Sequence, residues 1–267
     1  MSTTTRYCYG SHAEQIADLT VPDGNGPFPV LIMLHGGAFA AGPTLERLTP
    51  LCEDLASARL ATWNVEYRRL EGTGGGWPTT WQDAASATDF LSSIATDQKL
   101  DLNRVATFGH SAGAPLALWL ASRTSRPPLA ELGGAPAVNV RAAISASGVC
   151  DFGRKWPERL QAVFRELIGG SPESVPDRYA AISPVQLLPI GAPLLLVHGT
   201  SDSTVPVRFS EEFVAFARDA GDHVDLLVVD GAEHSDVRDV AATQWPAVRS
   251  ALINFVNSVL GIHLAPA

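Results

Sequence analysis

Val105-Ala106-Thr107-Phe108-Gly109-His110-Ser111-Ala112-Gly113 joins a short apolar run to a Gly-x-Ser-x-Gly pentapeptide. The run reads as a buried strand, and Ala114 to Ser122, which follows, reads as a helix. A serine at so sharp a strand-to-helix turn is strained with its hydroxyl exposed, and the flanking glycines leave room for the turn. A bulkier residue at Gly109 or Gly113 would crowd the neighbouring strand or the backbone of the turn. Ser111 is the candidate nucleophile.

Outward from this turn, short apolar runs alternate with longer helical patterns, the mark of a parallel sheet with crossover helices. Thr5–Tyr9 and Ala13–Val21 read as an antiparallel pair turning at Gly10-Ser11. Val30–Leu34 is apolar throughout, as a central parallel strand is. Further strands are expected at Ala61–Tyr67, Val140–Ser145, Leu194–Val197 and Val224–Val229. Helical patterns occupy Leu45–Ala58, Pro78 to about Thr96, Phe209–Ala220 and Pro246–Leu260. The expectation is an α/β fold with a mostly parallel central sheet of about eight strands and helices on both faces. Residues 149–193 hold no sheet strand and one helix pattern, Glu158–Ile168, which suits a small cap at most. No repeat, low-complexity tract or linker interrupts the chain, so residues 1–267 read as a single domain.

A serine hydroxyl attacks only when a base takes its proton, and the base must be oriented by an acid. In a sheet of this kind the acid and the histidine follow the serine, each just past the end of a strand. Leu194–Val197 leads to His198-Gly199-Thr200-Ser201-Asp202, and Leu226–Val229 to Asp230-Gly231-Ala232-Glu233-His234. Asp202 and His234 therefore occupy equivalent loops of successive parallel units. His12 and His35 precede the serine, His110 and His198 sit inside their motifs as packed residues, His223 starts a strand, and His263 lies in the C-terminal tail. Asp225 is inside a strand, Asp230 is too close to His234, and Glu233 reads as a solvated loop charge.

The oxyanion of a tetrahedral intermediate needs preorganised N–H donors. The amide of Ala112 is one; Gly37 and Ala38, in the small-residue turn His35-Gly36-Gly37-Ala38, are the others expected. His35 reads as a brace for that turn. Phe39, Trp77, Trp81 and Trp156 are the aromatics nearest the expected pocket, with Phe39, Trp77 and Trp156 the candidate substrate contacts. Gly72-Thr73-Gly74-Gly75-Gly76-Trp77 has neither the lysine of a Walker loop nor the spacing of a dinucleotide fingerprint, and reads as a flexible rim loop.

With 46% hydrophobic and 18% charged residues, the chain can bury a sizeable core. Its net charge of −9 argues against broad attraction to nucleic acid or an anionic membrane. No apolar stretch approaches the roughly 18–20 residues that span a bilayer, and Met1–Gly10 is too polar for a secretion signal. Three scattered cysteines, Cys8, Cys52 and Cys150, read as reduced thiols of a cytoplasmic protein. No spacing suits a metal and no cofactor is expected; the partner expected is a small-molecule substrate, with monomer and homodimer both open.

These motifs, together with Asn64-Val65-Glu66-Tyr67-Arg68-Arg69 and Gly74-Gly75-Gly76-Trp77-Pro78, resemble the α/β-hydrolase superfamily in its esterase, lipase and arylformamidase-like branch. The resemblance runs from about Pro29 to Leu260. It implies Ser111 as nucleophile, Asp202 as acid and His234 as base in hydrolysis of a carboxylic ester, or of an activated amide such as N-formylkynurenine. Ala38 stands where the family's oxyanion turn commonly has a third glycine, which argues against bulky tertiary-alcohol esters. Ala114 departs from a second frequent glycine. An alternative from another class is a ligand-binding protein on the same fold.

Overall fold

In the computed structural model, which describes residues 2–42 and 44–262, the strands are β1 (Ser2–Cys8), β2 (Ile16–Pro22), β3 (Phe28–Leu34) and β4 (Ala61–Val65), then β5 (Leu100–His110), β6 (Ala142–Ala146), β7 (Leu194–Gly199) and β8 (Val224–Val229). They form one sheet in the order β1-β2-β4-β3-β5-β6-β7-β8. β2 pairs antiparallel with both β1 and β4; every other pairing is parallel. Parallel neighbours end at one edge of the sheet, so the loops after β3, β5, β7 and β8 gather there. His223, one residue before β8, starts at the opposite edge, as the sequence implies.

All seven residues of β3 are buried, as a strand covered by helices on both faces requires. Alternate side chains feed two cores. Val30, Ile32 and Leu34 join α2 (Thr79–Ile94), α3 (Ala114–Ser122) and α6 (Arg208–Asp219) on one face. Leu31 and Met33 meet α1 (Thr49–Ser57) and α7 (Trp245–Leu260) on the other.

Several boundaries differ from the sequence reading. β1 and β2 are joined across residues 9–15, with the Tyr9 amide donating to the Gln15 carbonyl, rather than turning tightly at Gly10-Ser11. Leu45–Ala58 begins as a 3-10 turn, Leu45–Leu48, before α1 starts with Pro50 in its first turn, where a missing N–H costs nothing. Residues 149–193 hold α4 (Glu158–Ile168), as expected, but also α5 (Pro176–Ile182) and a 3-10 turn at Pro184–Leu187. Seven residues opening on proline are too few to show a helical period. His263 lies outside the described residues. No helix among the described residues is long and apolar enough to cross a membrane.

Candidate active site

β5 ends at His110 and α3 begins at Ala114, leaving Ser111–Gly113 as a single 3-10 turn. Ser111 has φ +52, a left-handed conformation that costs a non-glycine residue roughly 1–2 kcal/mol. Surroundings enforce it. A β-carbon on Gly109 would lie 2.2 Å from the Gly113 carbonyl oxygen, and one on Gly36 would lie 2.9 Å from Ser111 Cβ. The elbow and the turn after β3 are therefore pressed backbone to backbone. The turn that opens α3 carries no side-chain cap and directly includes Ser111, placing the serine at the positive end of the helix dipole.

The loops after β7 and β8 are laced together. Ser201 donates its amide to the Ala232 carbonyl at 3.0 Å, and Thr200 to that of Val229 at 3.0 Å. This brings Asp202 and His234 to the elbow. His234 Nε2 lies 3.0 Å from Ser111 Oγ, and His234 Nδ1 lies 2.8 Å from Asp202 Oδ2. Asp202 Oδ1 accepts from the Thr204 and Val205 amides at 2.9 and 2.8 Å. Burial alone would raise the Asp202 pKa; hydrogen bonds from His198, His234 and the Val205 amide outweigh it and hold the carboxyl well below its ordinary value. A serine, a histidine and an ionised aspartate in this order can take a proton from the serine and stabilise the resulting imidazolium.

The motif histidines are buried and hydrogen-bonded. His110 donates from Nε2 to the His234 carbonyl at 2.9 Å, tying the elbow to the loop that carries His234. Burial, then the charges of His234 and Arg238, push the His110 pKa well below its ordinary value. His35 Nε2 lies 2.8 Å from Glu66 Oε1, and its ring stacks on Tyr67 at 4.5 Å. Glu66 also accepts from the Leu45 and Tyr67 amides and from Arg69, while the Tyr67 hydroxyl donates to the His35 carbonyl. This buried cluster braces the turn after β3. Sequence reasoning did not find the role of Glu66; the one signal available was a charged residue directly following an apolar strand.

In that turn Gly37, Ala38 and Phe39 have φ values of +129, +54 and +57, and the Ala40 amide donates to the Gly37 carbonyl. Ala112 is buried beside Ser111. The three aromatics named from the sequence are placed differently. Phe39, 1% exposed, packs on Trp81 and Phe152, and Trp156 packs edge-on against Phe164 and Phe209. Both are core residues. Trp156 also walls a cavity of about 230 Å³ with Cys150, Arg154 and Phe213. Half-buried Trp77 donates its indole N–H to Glu131. The glycine-rich loop expected to be flexible is pinned: Gly75 bonds the Arg69 carbonyl, Gly76 the Thr80 hydroxyl, and the Trp77 amide the Leu167 carbonyl of α4. Among the described residues, no three His, Cys, Asp or Glu side chains gather as a metal site would need.

A family model described as BD-FAE matches residues 17–216. The chain belongs to the BD-FAE family. This BD-FAE chain is 29% identical over 267 residues to Esterase LipC of Mycobacterium tuberculosis, covering 95% of itself and 64% of that relative. It is 26% identical over 244 residues to a probable isoprenylcysteine alpha-carbonyl methylesterase of Oryza sativa, covering 86% of itself and 57% of the relative. It thus spans roughly three-fifths of these relatives' lengths. Esterase B from Lactobacillus rhamnosis superposes with a TM-score of 0.82 at 19% identity, over 98% of this chain and 86% of that one. Esterase 2 of Thermogutta terrifontis, phosphonylated by sarin, superposes with a TM-score of 0.80 at 20% identity, over 99% and 97%. The BD-FAE chain therefore has the α/β-hydrolase fold.

Proposed function

We propose that this chain hydrolyses carboxylic esters of small to medium size through an acyl-enzyme on Ser111. The observation that carries the reading is the unbroken run Ser111 Oγ, His234 Nε2, His234 Nδ1, Asp202 Oδ2, with steps of 3.0 and 2.8 Å across its hydrogen bonds. Ser111 Oγ attacks the carbonyl carbon as His234 Nε2 takes its proton. The amides of Ala112, Gly37 and Ala38 donate to the oxyanion. The C–O bond of the leaving alcohol breaks as His234 returns the proton to it, and water repeats the sequence on the acyl-enzyme. Asp202 accepts from His234 Nδ1–H throughout. Relatives named as esterases support the ester reading.

The test is kcat/KM on p-nitrophenyl butyrate and on N-formylkynurenine, with Ser111→Ala as the blank and a fluorophosphonate to label Ser111. Fast ester turnover with negligible formamide turnover supports the proposal. A formamide kcat/KM in the range of roughly 10⁴–10⁸ M⁻¹s⁻¹ typical of true substrates would reassign it as an arylformamidase. No labelling and no turnover would leave a binding protein.

A further inference from the structure

His198 lies in β7, four residues before Asp202, and is fully buried. Its Nε2 is 2.7 Å from the Val205 carbonyl oxygen and 3.2 Å from Asp202 Oδ2, and its Nδ1 is 2.7 Å from Ser210 Oγ on α6. A carbonyl oxygen only accepts, so the ring proton is on Nε2 and Nδ1 accepts from the Ser210 hydroxyl. The Nε2–H is aimed between Val205 O and the same Oδ2 that His234 Nδ1 meets at 2.8 Å. Two imidazoles thus donate to one oxygen, while two backbone amides occupy the other.

We infer that His198 is a positioning residue that sets the basicity of His234 by sharing Asp202 Oδ2 with it. The inference rests on the proposed role of His234 as the base. A donor on a carboxylate stabilises its charge and weakens its pull on every other donor. Without His198, Asp202 draws more strongly on His234 Nδ1–H, which favours the imidazolium and raises the His234 pKa. The carboxylate also loses one of the contacts that fix its plane, which lowers turnover. A residue that merely filled space would produce the second effect alone. Ser210 strengthens the donor, because accepting its hydroxyl proton makes the His198 Nε2–H more acidic. The other polar groups around His234 are Ser111, the His110 ring at 4.9 Å and, beyond it, Arg238. None of the three is hydrogen-bonded to His198.

The test is a side-chain NMR titration of His234 in the substrate-free protein, in wild type, His198→Phe and His198→Gln. Phenylalanine keeps the volume without a donor; glutamine returns an N–H near the Nε2 position. His198→Phe is expected to raise the His234 pKa by ~0.5 unit or more, moving the acid limb of kcat/KM to higher pH, and His198→Gln to restore it. Ser210→Ala leaves the ring in place and is expected to give a smaller rise; it carries the test should His198→Phe fail to fold. An unchanged His234 pKa in the donor-less variant, or the same rise in the Phe and Gln variants, overturns the inference. The titration needs no substrate, so absence of ester turnover in wild type would count against the proposed function alone.

Discussion

A β-carbon built on Gly113 would lie 2.1 Å from the carbonyl oxygen of Leu34, the last residue of β3. The elbow and the strand that launches the turn of Gly37 and Ala38 are thus in direct backbone contact. Gly113→Ala must separate them. Overpacking of this kind costs about 1–3 kcal/mol, so urea unfolding should show at least that loss, and labelling of Ser111 by a fluorophosphonate should slow. A midpoint equal to wild type would mean the two segments can part freely.

The left-handed backbone of Ser111 (φ +52) sets up a stability difference between two inactive variants. Ser111→Ala keeps the strained geometry and Ser111→Gly releases it. The glycine variant should be more stable than the alanine variant by about 1 kcal/mol in chemical denaturation, after allowance for glycine's greater freedom in the unfolded chain. Both should lose ester turnover by several orders of magnitude. Equal stability would show that the surroundings relax the turn in the alanine protein.

Asp202→Asn replaces an acceptor-only group with an amide that presents either oxygen or nitrogen to His234. In a serine protease the corresponding change lowers kcat by about 10⁴ through the wrong imidazole tautomer, and a loss of that order is expected here with the fold retained. The pH profile should also change, because the imidazolium loses its ion-pair partner and its pKa falls. Turnover within tenfold of wild type would remove Asp202 from the relay.

Acid stability follows from three buried groups, the first being Asp202, whose carboxyl is held well below its ordinary value. Burial would raise the Glu66 pKa, but the hydrogen bond from His35 and the charge of Arg69 bring it below its ordinary 4.5. Glu66 therefore stabilises the fold above about pH 4.5, and that contribution is lost as pH falls through its lower folded value. His110 stays neutral in the fold while the unfolded chain takes up a proton below about 6.5, so stability begins to decline there. Unfolding free energy should fall in two stages on acidification. Glu66→Gln should cost roughly 1–3 kcal/mol near neutrality by weakening the bonds to His35 and Arg69, the latter keeping Glu14 as a partner, and should shrink the lower stage to the share of Asp202. A lower stage of unchanged size in that variant would assign it elsewhere.

How far these features were legible before the structure depends on the range of the interaction. Ser111, Asp202 and His234 each follow an apolar strand of a parallel sheet, so chain order and strand polarity alone predict that they converge. The buried status of His110, His35 and His198 was legible from their places inside motifs. Their partners were not: His35 meets Glu66 across 31 positions and His110 meets the His234 carbonyl across 124, and no local pattern encodes such pairings. His198 was the nearer miss, since it stands four residues before Asp202 at a strand end. Phe39 and Trp156 read equally as core or pocket, because their surroundings come from α2, α4, α6 and the segment after β6. Short α5 carried no periodic signal at all.

The 149–193 segment supplies none of Ser111, Asp202 or His234, yet its Trp156, Phe164 and Leu167 pack against the elements around them. The candidate triad and the segment packed beside it thus lie on separate stretches of chain. A graft that exchanges residues 150–193, keeping the Trp77 amide's bond to α4 and the Val149 amide's bond to the Ser111 carbonyl, is expected to leave Ser111, Asp202 and His234 in place. The architecture permits such an exchange as a single insertion between two adjacent parallel strands, β6 and β7.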